Sequence, residues 1–66
     1  MKNRVKQYRL ESGMSQADLA VKASVARSYI TMLEEGKRSN PSYLVMLKIS
    51  EALGKGVTEV FFPEYL

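Results

Sequence analysis

The sequence predicts an all-α fold, a compact bundle of five short helices, and three observations point to it. Apolar residues recur at spacings of three and four along most of the chain, and no stretch alternates as a half-buried strand would. Gly13, Gly36 and Gly54 each close one of these periodic stretches, where a chain leaves its helix through positive φ. Ser15 and Ser42 each open a new stretch, with a side-chain oxygen placed to accept from an unpaired first-turn amide.

The first helix is predicted over residues 3–12, with Val5 and Tyr8 facing inward and Met14 in the following turn. The second covers residues 16–23, with Leu19, Ala20 and Ala23 inward, and Ser15 with Asp18 three residues on forms a short-armed capping box at its start. The third covers residues 27–35 and is anchored by Ile30 and Leu33. The fourth covers residues 43–53, lined by Met46, Leu47 and Leu53, with Ile49 at the edge of its apolar face. The fifth covers residues 57–62 and is closed by Pro63, while Pro41 falls in the loop before the fourth. No internal repeat or low-complexity segment interrupts this order.

Length allows one domain, residues 1–66. A chain this short buries only about 60% of its unfolded surface, so self-association is the expected source of extra stability. With no cysteine and no histidine, a disulfide framework and thiolate or imidazole metal sites are excluded, and neither a metal nor a cofactor is expected. An enzyme is the least favoured class, because the chain has no histidine and no cysteine and no carboxylate pair is expected on a shared concave face. With basic residues at Lys2, Arg4, Lys6 and Arg9 and no long apolar run, neither a signal peptide nor a membrane span is expected. A cytoplasmic protein is expected. The net charge is +3, unevenly spread: residues 1–40 hold eight basic and four acidic side chains, residues 41–66 two and three. The first part can face a polyanion and the second, near neutral, another protein surface.

Residues 16–35 carry the most specific pattern. A short helix with small Ala20 and Ala23 is followed by a three-residue turn, Ser24-Val25-Ala26, and then by the third helix. Small residues allow close crossing, Val25 plugs the corner, and the third helix is left with Arg27, Ser28, Thr31, Met32 and Glu35 outward. That is a helix-turn-helix, with a protruding helix suited to a DNA groove.

The chain resembles the helix-turn-helix regulators of the phage repressor and Cro type, the xenobiotic-response-element-like group with the lambda-repressor-like DNA-binding fold. The resemblance rests on Gln16-Ala17-Asp18-Leu19-Ala20, Val25, Ile30, Leu33, Glu34, Gly36 and Lys37-Arg38-Ser39-Asn40-Pro41-Ser42, and it continues through residues 47–54 to Val60-Phe61. It implies base-reading roles for Arg27, Ser28, Thr31 and Met32, and DNA-backbone contacts for Ser15, Gln16, Tyr29, Lys37, Arg38 and Asn40. Gln16 would also brace the third helix, and Arg9 with Glu34 would tie the first helix to the end of the third. Two readings of Met32 stand side by side: contact with a thymine methyl and packing against a partner. Three positions depart from the family pattern. Ser24 replaces a usual glycine, which requires either a strained positive φ or a remodelled turn. Ala26 gives up a capping hydroxyl worth about 1 kcal/mol. Gly56 gives up another at smaller cost.

The expected function is sequence-specific binding of double-stranded DNA by a transcriptional regulator, a repressor working as a homodimer on a palindromic operator. The expected dimerisation segment is residues 57–66, through Val57, Val60, Phe61, Phe62 and Tyr65, whose apolar surface exceeds what a small core can cover. The alternative is a protein-interaction module, an adaptor or antitoxin-like chain gripping a different protein with its fourth and fifth helices.

Overall fold

A computed structural model describes residues 2–37 and 40–66. Its elements are α1 (Val5–Glu11), α2 (Gln16–Ala23), α3 (Arg27–Glu34), α4 (Tyr43–Leu53) and α5 (Val57–Phe61), followed by a 3-10 turn at Pro63–Tyr65. No strand occurs among the described residues.

The helix ends explain why these segments stop where they do. Gly13, Gly36 and Gly54 have φ of 71°, 75° and 68°, and Ser24 takes the same left-handed conformation with φ 57°. In each case the next amide reaches back five residues: Met14 N–H to the Arg9 carbonyl, Val25 to Ala20, Lys37 to Met32 and Lys55 to Ser50, at 2.9–3.1 Å. One device thus ends four helices, satisfying a carbonyl that the helix itself leaves unpaired. The Ser24 turn keeps the geometry that a glycine would give it and carries the strain.

The starts are less uniform. Ser15 and Asp18 form a reciprocal box: Ser15 Oγ accepts from the Asp18 N–H at 2.9 Å, and Asp18 Oδ2 accepts from the Ser15 N–H at 3.0 Å. Ser42 Oγ caps α4 by accepting from the Val45 N–H at 3.2 Å. Ala26 supplies no side-chain cap to α3. At α5 only half a box forms, with Glu59 Oε2 accepting from the Gly56 N–H at 2.8 Å, since glycine has no side chain to complete it. Asn3 lies outside α1 and caps it: its Oδ1 accepts from the Val5 N–H at 3.1 Å, while its Nδ2 donates to the Leu33 carbonyl at 3.0 Å.

The core gathers Val5, Tyr8, Leu19, Ala20, Ala23, Ile30, Leu33, Ile49, Ala52, Leu53, Val60 and Phe61, with Met14, Val25, Met46, Val57 and Phe62 packed around it. Three expectations change here. Ile49 is fully buried rather than at an edge, and α4 turns Ser50, Ala52 and Leu53 inward with it, whereas Leu47 is only half-buried. Val60 and Phe61 are both 0% exposed, so they fill the protomer's own core and offer nothing to a second copy. Pro63 does not simply end α5, because it starts the 3-10 turn that brings Tyr65 back to within 6.5 Å of the Phe62 ring.

Candidate nucleic-acid interface

α3 owes its position to two contrasting faces. Ile30 and Leu33 are 0% and 1% exposed and fix its back against the core, which Tyr29 also touches. Arg27 and Ser28 in its first turn are exposed, and Thr31 and Met32, one turn on, are half-exposed. Burying two large aliphatic side chains secures the helix by about 3–6 kcal/mol in total, far more than its missing cap takes away.

A polar chain then locks α3 in rotation. Arg9 Nε and Nη2 donate to the two oxygens of Glu34 at 2.7 and 3.0 Å, and Arg9 Nη1 donates to the Met14 carbonyl at 2.8 Å. Gln16 Nε2 donates to Glu34 Oε1 at 3.0 Å, and Gln16 Oε1 accepts from the Thr31 hydroxyl at 2.7 Å. The Arg9 and Glu34 side chains are only 8% and 3% exposed, so this is a buried bidentate pair rather than a surface one. Burial works against ionisation of Glu34, but the hydrogen bonds from Arg9 and Gln16 and the Arg9 charge outweigh it, and its pKa lies below the ordinary 4.5. Arg9 is correspondingly held more basic, chiefly by its hydrogen bond to Glu34. One end of α1, the start of α2 and both turns of α3 are joined by one set of bonds.

The residues expected to flank a phosphate backbone are in part accounted for. Ser15, Lys37 and Asn40 are exposed and Gln16 is half-buried. Lys37 pairs loosely with Glu35 at 3.3 Å, both side chains remaining largely in solvent. Arg38 and Ser39 lie outside the described residues. In the expected dimer segment, Val57 and Phe62 pack partly on the core and Tyr65 stands 78% exposed, joined by Leu66 at 71%. Sequence reasoning missed the Thr31–Gln16 bond, which depends on how closely α2 and α3 approach. It also missed exposed Tyr43 and Leu44 at the start of α4, hidden in an almost wholly apolar run. No helix among the described residues is long and apolar enough to cross a membrane.

Comparison with known proteins adds the following. Residues 5–60 match a family model described as helix-turn-helix. The HTH-type transcriptional regulator SinR of Bacillus subtilis (strain 168) is 44% identical over 54 residues, covering 82% of this chain and 49% of SinR. This chain therefore spans about half the length of that relative. YqaF of the same organism, an uncharacterized HTH-type transcriptional regulator, is 42% identical over 64 residues, covering 97% of this chain and 82% of YqaF. SinR in complex with DNA has been solved by crystallography, and it superposes with a TM-score of 0.79 at 44% identity, over 82% of this chain and 86% of that one. The restriction-modification controller protein C.AhdI of Aeromonas hydrophila superposes with a TM-score of 0.80 at 36% identity, over 85% and 83% of the two chains. With the helix pair, its turn and its buried brace in place, and with the family match spanning residues 5–60, this chain belongs to the helix-turn-helix family of the phage repressor and Cro type.

Proposed function

We propose that this chain binds double-stranded DNA sequence-specifically and regulates transcription, reading the major groove with α3. The observation that carries this reading is the division of α3 into an anchored back face and an outward face of Arg27, Ser28, Thr31 and Met32. The solved complex of SinR with DNA supports it by similarity. Arg27 suits a bidentate contact to guanine, and Met32 a thymine methyl. Gln16 uses one amide hydrogen on Glu34, which leaves the second for a phosphate oxygen. Ser15, Tyr29, Lys37 and Asn40 are the further backbone contacts of this reading, with Arg38 added from the family resemblance alone.

The finer reading is a repressor acting as a homodimer on a palindromic operator, in the cytoplasm. Eight residues of α3 make a rod of about 12 Å, enough for a few base pairs and too few to find one site in a genome. Two copies on a two-fold axis, with half-sites about 34 Å apart, double the readout. Tyr65 and Leu66, with the outer side of Phe62, supply the apolar surface for that contact. Selection from a random duplex pool, followed by titration at several salt concentrations, tests the proposal. Enrichment of a two-fold sequence, with affinity falling steeply as salt rises, is expected. Failure to retain any duplex at low salt would refute DNA binding.

A second reading, a protein-interaction module, draws on exposed Tyr43 and Leu44 of α4 and on the solved complex of SinR with SinI. Duplex binding unaffected by Arg27→Ala, together with loss of a bound protein in Leu44→Asp, would favour it.

A further inference from the structure

A serine or threonine hydroxyl facing a base edge ordinarily reads it ambiguously, because it both donates and accepts. Thr31 is placed otherwise. Its single hydroxyl hydrogen has two acceptors within reach, Gln16 Oε1 at 2.7 Å and the Arg27 carbonyl at 3.2 Å, and both belong to the protein. The Gln16 amide cannot turn over to offer Thr31 a donor instead. Its Nε2 faces Glu34 Oε1 at 3.0 Å, and turning it would set an amide oxygen against a carboxylate already bound to Arg9. The two lone pairs of Thr31 Oγ1 are all that remain for a ligand, on a side chain that stays half-exposed on the outward side of α3.

We propose that Thr31 is a one-way reader of the groove, able to accept from a base but not to donate to it. It thereby selects an amino base, adenine or cytosine, over a keto base, guanine or thymine, at one position of each half-site. The amino group of adenine N6 or cytosine N4 is the major-groove donor that such an oxygen can take, whereas guanine O6 and N7 and thymine O4 offer acceptors. The fixed chain from Arg9 through Glu34 and Gln16 to Thr31 makes hydrogen bonds that span 15, 18 and 25 residues of sequence part of the specificity. This assignment rests on the DNA-binding reading given above.

The experiment is parallel selection from a random duplex pool with the wild-type chain, Thr31→Val and Thr31→Ser, followed by binding to chosen operators. The wild-type chain is expected to enrich adenine or cytosine on one strand at a position where Thr31→Val, similar in shape but without the hydroxyl, becomes indifferent. Changing that base to a keto base should weaken wild-type binding about fivefold per half-site, the worth of one hydrogen bond. Thr31→Ser keeps the hydroxyl and should keep the preference. A 7-deaza purine in that base pair, which removes only the N7 acceptor, should leave wild-type affinity within twofold, and this readout needs no variant to fold. Because every base pair holds one amino and one keto base, the deciding arm removes the amino group itself: purine in place of the adenine, or 2-pyrimidinone in place of the cytosine, should weaken the wild-type chain about fivefold and Thr31→Val hardly at all. No loss on removing that amino group, or a large loss with the 7-deaza purine, overturns the one-way assignment while DNA binding stands. Enrichment of no sequence by the wild-type chain overturns sequence-specific binding and the assignment together.

Discussion

Arg27 is exposed in the first turn of α3, at the flank of the face that buries Ile30 and Leu33, and the brace below it does not use its guanidinium. If it forks onto a guanine, Arg27→Ala will cost about 1–3 kcal/mol on the selected operator and relax one base pair per half-site. Equal weakening on random duplex, measured by competition, would make it a phosphate contact instead. Individual residues were unevenly legible in the sequence. The Ser15–Asp18 box, the Ser42 cap and the three glycines were readable because each depends on neighbours within four or five positions. The Arg9–Glu34 pair came from family resemblance, and nothing in its 25-residue separation foretold a bidentate, buried geometry. Thr31 was readable as outward, but the commitment of its hydroxyl was not, since that is settled by the approach of another helix.

At the scale of the element, the turn between α2 and α3 holds Ser24 at φ 57°, where a side chain is crowded and glycine is not. Ser24→Gly should stabilise the fold by about 1 kcal/mol, raising Tm by roughly 4–8 °C in a domain this size. A lower Tm would mean that the Ser24 side chain contributes something its geometry does not reveal. The α1–α3 tie behaves in the opposite sense. Glu34→Ala leaves the Arg9 guanidinium buried without its counter-charge and should cost about 3–5 kcal/mol, enough to unfold much of a small domain. Arg9→Met with Glu34→Leu should recover most of that loss in thermal melts. The acid dependence follows from the same pair. Glu34 has a folded pKa below 4.5, so its contribution is complete above that value and is lost as pH falls through the lower folded one. The pair mutant should lose this part of the acid transition. α4 shows why pattern alone fails in places: with Tyr43, Leu44, Val45, Met46, Leu47 and Ile49 so close together, nearly every face is apolar, and only packing decides that Ile49 faces inward and Leu44 outward.

For the molecule as a whole, the five helices and their order could be read because each is punctuated locally, whereas the share of the C-terminal apolar residues kept for the protomer's own core could not. A partner surface must now be sought in Tyr65 and Leu66 rather than in Val60 and Phe61. Tyr65→Asp should cost the protomer's own fold less than about 0.5 kcal/mol, because the side chain is largely in solvent, yet shift sedimentation from dimer to monomer, remove the concentration-dependent part of Tm and abolish tight operator binding. A wild-type chain that sediments as a monomer on DNA, with full affinity for a single half-site, would rule out the assembly. The N-terminal segment offers a different handle. Before α1 begins, the Arg4 amide is bonded at 2.8 Å to the carbonyl of Val60, 56 positions away, and the Asn3 side chain grips Leu33 beside it. That amide belongs to no helix, so its exchange with deuterated solvent reports only whether the start of the chain and α5 remain latched together. Its protection factor should match those of the slowest helical amides and collapse wherever α5 swings open, whereas an α5 traded for its counterpart in another copy would re-form the same bond and keep the amide protected.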